Sequence, residues 1–112
     1  MQQLHMTVRE VTVAAEINSY IVDIADATRK NTYLNLGIST RASLALLRIA
    51  QASALIAGRG YVIPEDVKSN AILVLSHRIT LSSSARANGF TAESIIIDIL
   101  NTVSVPKVSI NV

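Results

Sequence analysis

The chain has 112 residues, enough for one domain with a real core, and with only 4% aromatic residues and no tryptophan that core has to be aliphatic. The absence of cysteine excludes disulfides, thiolate metal sites and cysteine nucleophiles, and the longest unbroken apolar run, Ala71 to Leu75, is far too short to cross a bilayer. Ten Lys and Arg against eight acids leave a net charge of +2, spread from Arg9 to Lys107 without the dense basic cluster usual in a nucleic-acid module.

Half of the residues are apolar and only 16% are charged, so some apolar surface is expected to be covered by a neighbour. No basic segment followed by an apolar run opens the chain, so no signal peptide is expected and the cytoplasm is the default compartment.

In chain order, Val8, Val11 and Val13 suit a short extended lead-in, and His5 is too isolated to interpret. Val13, Ile17, Tyr20, Ile21, Ile24 and Thr28 then recur at intervals of three and four opposite Glu16, Asp23, Asp26 and Lys30, which predicts a first amphipathic helix. Arg29 and Lys30 favour its negative end, with Asp26 placed to pair with them. Asp23 and Asp26 have no third ligand nearby, so a solvated acidic face is expected rather than a metal site. Residues 31–36 read as a loop, with Tyr33 and Leu34 tucked back as apolar plugs.

The stretch from Gly37 to Gly60 predicts the central helix. Ser39 stands where an N-cap belongs and Gly58 where a left-handed residue ends a helix, with good helix formers and no proline between. Leu44, Leu46, Leu47, Ile49, Leu55 and Ile56 lie nearly all round it, separated by alanines, so other helices are expected to surround it closely. Its polar exceptions, Arg41, Arg48 and Gln51, fall on one face. Arg41 sits in the first turn, where the helix dipole disfavours a cation by about 0.3–1 kcal/mol. From the residues alone two readings stay open: an ordinary solvated charge of small cost, or an anion site in which open amides, dipole and guanidinium converge on phosphate.

Gly58-Arg59-Gly60 turns the chain, Tyr61-Val62-Ile63 is a short β-like run, and Pro64 followed by Glu65 and Asp66 starts a third helix ending near His77. Its inner face is read as Val67, Ala71, Val74, Leu75 and Arg78, and His77 as an ordinary packed or surface histidine. Residues 80–89, with Ser82, Ser83, Ser84 and Asn88, read as a polar mobile loop. Thr91 caps a fourth helix that buries Ile95, Ile96, Ile99, Leu100 and Val103 and stops at Val105-Pro106, before an edge strand or tail. The sum is an all-α, four-helix module with at most a short β-like pairing. It has no phosphate loop with its lysine, no acidic strand end for magnesium, no nucleophile elbow and no metal-ligand spacing, and hence no complete catalytic constellation.

Three segments together are specific. Leu-Gly-Ile-Ser-Thr-Arg-Ala-Ser-Leu-Ala-Leu-Leu at 36–47, Ala-Gly-Arg-Gly-Tyr-Val-Ile-Pro-Glu-Asp-Val at 57–67 and Val-Leu-Ser-His-Arg-Ile at 74–79 resemble the C-terminal helical lid of MoxR-family AAA+ ATPases. Tyr-Ile-Val at 20–22, Ala-Thr-Arg at 27–29 and Ile-Leu-Asn-Thr-Val at 99–103 before a Val-Pro fit as well, so the likeness covers roughly residues 13–106 in order. It implies a lid over 13–106, a lead-in at 1–12 from a preceding ATPase core domain, to which the opening Met-Gln-Gln-Leu is suited, and a tail at 107–112. It also implies ATP, with magnesium, bound by that core; neighbouring subunits in a ring; and a client protein to be remodelled, with neither membrane nor nucleic acid as partner. Arg41 then falls on the second sensor, which reaches the γ-phosphate, and Ser39 joins it in binding nucleotide. Thr40 stands where the family commonly has proline, and Gly60 where it commonly has an acid, which loosens that turn. Arg59 and Arg78 are read as structural tethers. The chain alone, lacking Walker motifs, is not expected to hydrolyse ATP. Two rival readings are a basic helical DNA-binding module, from a pI near 9.3, and a helical oligomerisation module, from the oily composition.

Overall fold

The computed structural model describes residues 7–108; His5, the first six residues of the lead-in and the last four of the tail lie outside them. Among the described residues the chain forms helices α1 (Ala15–Lys30), α2 (Thr40–Ile56), α3 (Pro64–Ser76), α4 (Ser83–Ala87) and α5 (Ala92–Thr102), with strands β1 (Leu34–Leu36) and β2 (Thr80–Leu81). The all-α reading with a short β pairing holds. A fifth, five-residue helix is added in the stretch expected to be a mobile loop.

That helix has local causes. The Ser82 hydroxyl accepts the Ala85 N–H at 3.2 Å as an N-cap, and Ala85 is fully buried as the plug that anchors the turn. Gly89, at φ +77°, closes it. Just before it, β2 pairs antiparallel with β1, Leu34 opposite Leu81 and Leu36 opposite Thr80, and the Ser82 N–H donates to Tyr33 O at 2.8 Å. Leu34 is buried as expected, whereas Tyr33 is exposed and rests edge-on against Phe90, ring centres 4.9 Å apart. The lead-in, expected to be extended, forms a 3₁₀ turn over Val8–Glu10 in which the Glu10 carboxylate accepts the Thr7 N–H at 3.4 Å. Thr12 then bridges in parallel to Tyr61, with Thr12 N–H to Gly60 O at 2.9 Å and Val62 N–H to Thr12 O at 3.0 Å.

Helix α2 packs most extensively on α3, α3 on α5, and α1 spans α2, α3 and α5. Buried residues of α2 follow one line at four-residue spacing, Ala42, Leu46, Ala50 and Ala54, so small side chains lie where neighbours approach. The expectation that helices surround α2 is corrected: Leu44 is 50% and Ile56 87% exposed, because α1 and α3 cover only one side. The core is aliphatic, with Ile17, Ile24, Ile38, Leu46, Leu75 and Ile96 fully enclosed, and Tyr20 as its single large aromatic member. Among the described residues no helix is long and apolar enough to cross a membrane.

Candidate functional site

The start of α2 brings Ser39 and Arg41 together. Ser39 is extended (φ −78°, ψ 166°), and its Oγ accepts the Ala42 N–H at 3.1 Å while its carbonyl accepts the Ser43 N–H at 3.0 Å. One of the first-turn amides is thereby satisfied; those of Thr40 and Arg41 have no partner among the described residues. No acidic residue occupies the first turn, and Arg41 is exposed and forms neither ion pair nor side-chain hydrogen bond among those residues. Two open amides, the positive end of a 17-residue helix and a free guanidinium therefore share one corner. An anion placed there meets charge-assisted donors without first displacing an internal carboxylate.

The last turn of α1 carries this corner. Thr28 is fully buried and its Oγ1 accepts the Ile38 N–H at 3.0 Å, while Gly37 lies against the Arg29 backbone. Sequence reasoning placed Thr28 on an apolar stripe and did not see this bond. The available signals were a hydroxyl in an otherwise aliphatic stripe and a glycine two residues ahead of the cap.

The other polar residues singled out from the sequence are brought elsewhere. Gln51 is buried, donating from Nε2 to Val11 O at 2.9 Å and accepting from Arg48 Nη1 at 3.2 Å, so these two fasten the lead-in to α2 instead of extending a polar stripe from Arg41. Arg59 is a tether as expected: its guanidinium forks onto Asp66 at 2.7 and 2.9 Å and donates to Tyr61 O at 3.0 Å. Its hydrogen bond to Asp66 holds Arg59 charged even beyond its ordinary range. The Asp66 carboxylate also accepts the Ile63 N–H at 2.8 Å, which caps α3 and firms the turn that Gly60 was expected to loosen. Arg78, by contrast, is exposed and makes no side-chain bond among the described residues, so neither the tether nor the inner-face reading fits it. His77 is an exposed C-cap, and Asp26 pairs with Arg29 at 3.0 Å on the solvent face. Among the described residues no three His, Cys, Asp or Glu side chains gather as a metal site would require.

Two further features adjoin the core. Tyr20 is 1% exposed and its hydroxyl has no hydrogen-bond partner among the described residues; burial first, then the charge of Glu65, pushes its pKa up. An apolar groove of about 360 Å³ runs between α1 and the first half of α2, walled by Ile21, Val22, Leu44 and Leu47, with Thr40 and Ser43 adding polar edges next to Arg41.

Comparison with known proteins places this corner in a family context. The family model described as the AAA lid domain matches residues 26–99, a span that contains Ser39 and Arg41. The chain is 41% identical over 103 residues to the uncharacterized protein YeaC of Bacillus subtilis, covering 92% of this chain and 32% of that protein. It is 38% identical over 99 residues to the chaperone MoxR1 of Mycobacterium tuberculosis, covering 80% of this chain and 26% of that protein. A crystal structure of a presumed ATPase from Cytophaga hutchinsonii superposes with a TM-score of 0.84 at 37% identity, over 89% of this chain and 33% of that one. The chain spans about a third or less of the length of these relatives.

Proposed function

Since the chain belongs to the AAA lid domain family and is a lid of the MoxR type, we propose that it closes over ATP held by a core domain elsewhere in the protein and senses it through Arg41. On this reading residues 13–106 are the lid, 1–12 lead in from the core, and 107–112 are a tail. The observation that carries it is the corner at the start of α2, where an exposed guanidinium and the amides of Thr40 and Arg41, which have no partner among the described residues, point to an anion with no carboxylate of those residues competing. Phosphate suits that donor set, being multiply charged and offering pairs of oxygens that the planar fork of a guanidinium can engage together.

ATP with magnesium in the core supplies the phosphoryl group to be transferred. Arg41 stabilises the negative charge that develops on it and, because α2 is the longest element of the lid, carries the presence or loss of that charge to α3 and α1. Ser39 holds the amides in register through its oxygen and retains its hydroxyl hydrogen for the phosphate. The groove of Ile21, Val22, Leu44 and Leu47 leaves apolar surface suited to the core domain or a neighbouring subunit of a ring, and the kinship with the chaperone MoxR1 supports a role in chaperone-like remodelling of a client. A basic DNA-binding module is less well supported, because Arg48 and Arg59 spend donors inside the fold and Arg29 is paired with Asp26 on the surface.

The test is Arg41→Ala in the full-length ATPase. Hydrolysis falls on the order of tenfold to a hundredfold while the melting temperature stays put. Unchanged hydrolysis would defeat the sensing role. Clear turnover by the purified 112-residue chain would contradict the division of labour itself.

A further inference from the structure

The segment that delivers Arg41 is tied to α1 by contacts that the sensing role does not itself use. Thr28 donates its hydroxyl hydrogen to Ala25 O at 2.6 Å, the back-bond common for threonine inside a helix. Its oxygen then reaches across to a different element and accepts the Ile38 N–H at 3.0 Å. Both residues are sealed from water, Thr28 at 0% and Ile38 at 1% exposure, so no solvent can replace either partner. One residue earlier the chain presses on the same helix turn: a Cβ built on Gly37 would lie 2.7 Å from the Arg29 nitrogen and 2.8 Å from its Cα. Only glycine lets the backbone come this near.

Ile38 directly precedes the cap Ser39 and stands three positions before Arg41, so the point at which its amide is pinned sets where α2 begins and how its first turn is aimed. We infer that Thr28 is a positioning residue for Arg41, holding the start of α2 on the last turn of α1 so that the guanidinium and the free amides meet the nucleotide in register. This rests on the sensing role proposed for Arg41. Thr28 touches no phosphate; it acts through the backbone between Ile38 and Arg41. Without its oxygen the buried Ile38 N–H lacks a partner, and the segment shifts to find one.

The experiment is a set of variants in the full-length ATPase: Thr28→Val, Thr28→Ser, Arg41→Ala and the double variant Thr28→Val with Arg41→Ala, each followed by kcat for ATP hydrolysis and by melting temperature. Thr28→Val, close in shape but without an acceptor, is expected to lower kcat by roughly tenfold, since a small misplacement of a catalytic group is costly. Thr28→Ser restores the acceptor and with it most of kcat. In the Arg41→Ala background, Thr28→Val changes kcat by less than about twofold, because the group it positions is gone. Should Thr28→Val fail to fold, Thr28→Cys, of similar size and a weak acceptor, takes its place and lowers kcat to an intermediate value. If Arg41→Ala leaves kcat unchanged, the sensing role falls and this inference with it. If Arg41→Ala lowers kcat but Thr28→Val or Thr28→Cys does not, or lowers it by the same factor with and without Arg41, the positioning role alone is overturned.

Discussion

Replacing Arg59 by methionine tests how the far end of α2 is fastened to α3. The guanidinium makes three hydrogen bonds, two to Asp66 at 2.7 and 2.9 Å and one to Tyr61 O at 3.0 Å. The Asp66 side chain is 5% exposed, and its remaining contact is the Ile63 N–H at 2.8 Å. Methionine keeps much of the stem packing while stripping the charge, which leaves a buried carboxylate with one partner. Removing one member of a fully buried pair costs about 3–5 kcal/mol. Arg59 is itself 24% exposed, so water reaches part of the vacated space and a loss of about 2–3 kcal/mol is expected. For a domain of this size that is a drop of roughly 10 °C in melting temperature. Urea unfolding of the 112-residue chain followed by far-ultraviolet circular dichroism reads it, with Asp66→Asn and the double variant completing a cycle. A loss below about 1 kcal/mol, with coupling in the range of surface pairs, would refute the claim that this pair locks the α2–α3 turn.

Two other substitutions probe the core and the cap. Tyr20→Phe removes a buried hydroxyl that has no partner among the described residues and is expected to raise stability by about 1 kcal/mol in thermal unfolding; a loss of similar size would mean that the hydroxyl is satisfied after all. Because burial raises the Tyr20 pKa above its ordinary 10.0, the unfolded chain releases that proton first, so stability is full below pH 10 and declines as pH rises further. The wild-type chain should show this alkaline decline more steeply than Tyr20→Phe, and equal slopes would remove Tyr20 as its cause. Ser39→Ala withdraws the acceptor of the Ala42 N–H and should cost about 1 kcal/mol; no measurable loss would show that the start of α2 is held by Thr28 and Gly37 without its cap.

Much of the fold was legible because its punctuation is local. Ser39 and Gly58 bound α2 within a residue, Pro64 opens α3 and Thr91 caps α5, each through chemistry confined to one turn. The apolar stripes of α1 and α5 were legible for the same reason, since a three-four spacing has one dominant reading. What escaped depends on distant partners. Three serines read as a loop because the burial of Ala85, which makes a helix of them, comes from the surrounding fold. Arg78 follows the helical period of α3 but sits beyond its C-cap, where the face no longer turns inward. The all-round apolar character of α2 was read as enclosure, yet Leu44 and Ile56 stay exposed where α1 and α3 do not reach. At the candidate site the position of Arg41 in a first turn could be read directly, whereas the absence of a carboxylate partner for it among the described residues and the grip of Thr28 on Ile38 are facts of packing between elements.

The claim that Arg41 reads the γ-phosphate is tested most directly by comparing two ligands that differ in that group. Binding of ADP and of a non-hydrolysable γ-imido analogue of ATP, each with magnesium, is measured for the full-length ATPase and its Arg41→Ala variant. The analogue should weaken by roughly tenfold to a hundredfold, the worth of a charge-assisted hydrogen bond, while ADP binds the variant as it binds the wild type. Equal weakening of both ligands, or of neither, would contradict a sensor at the start of α2.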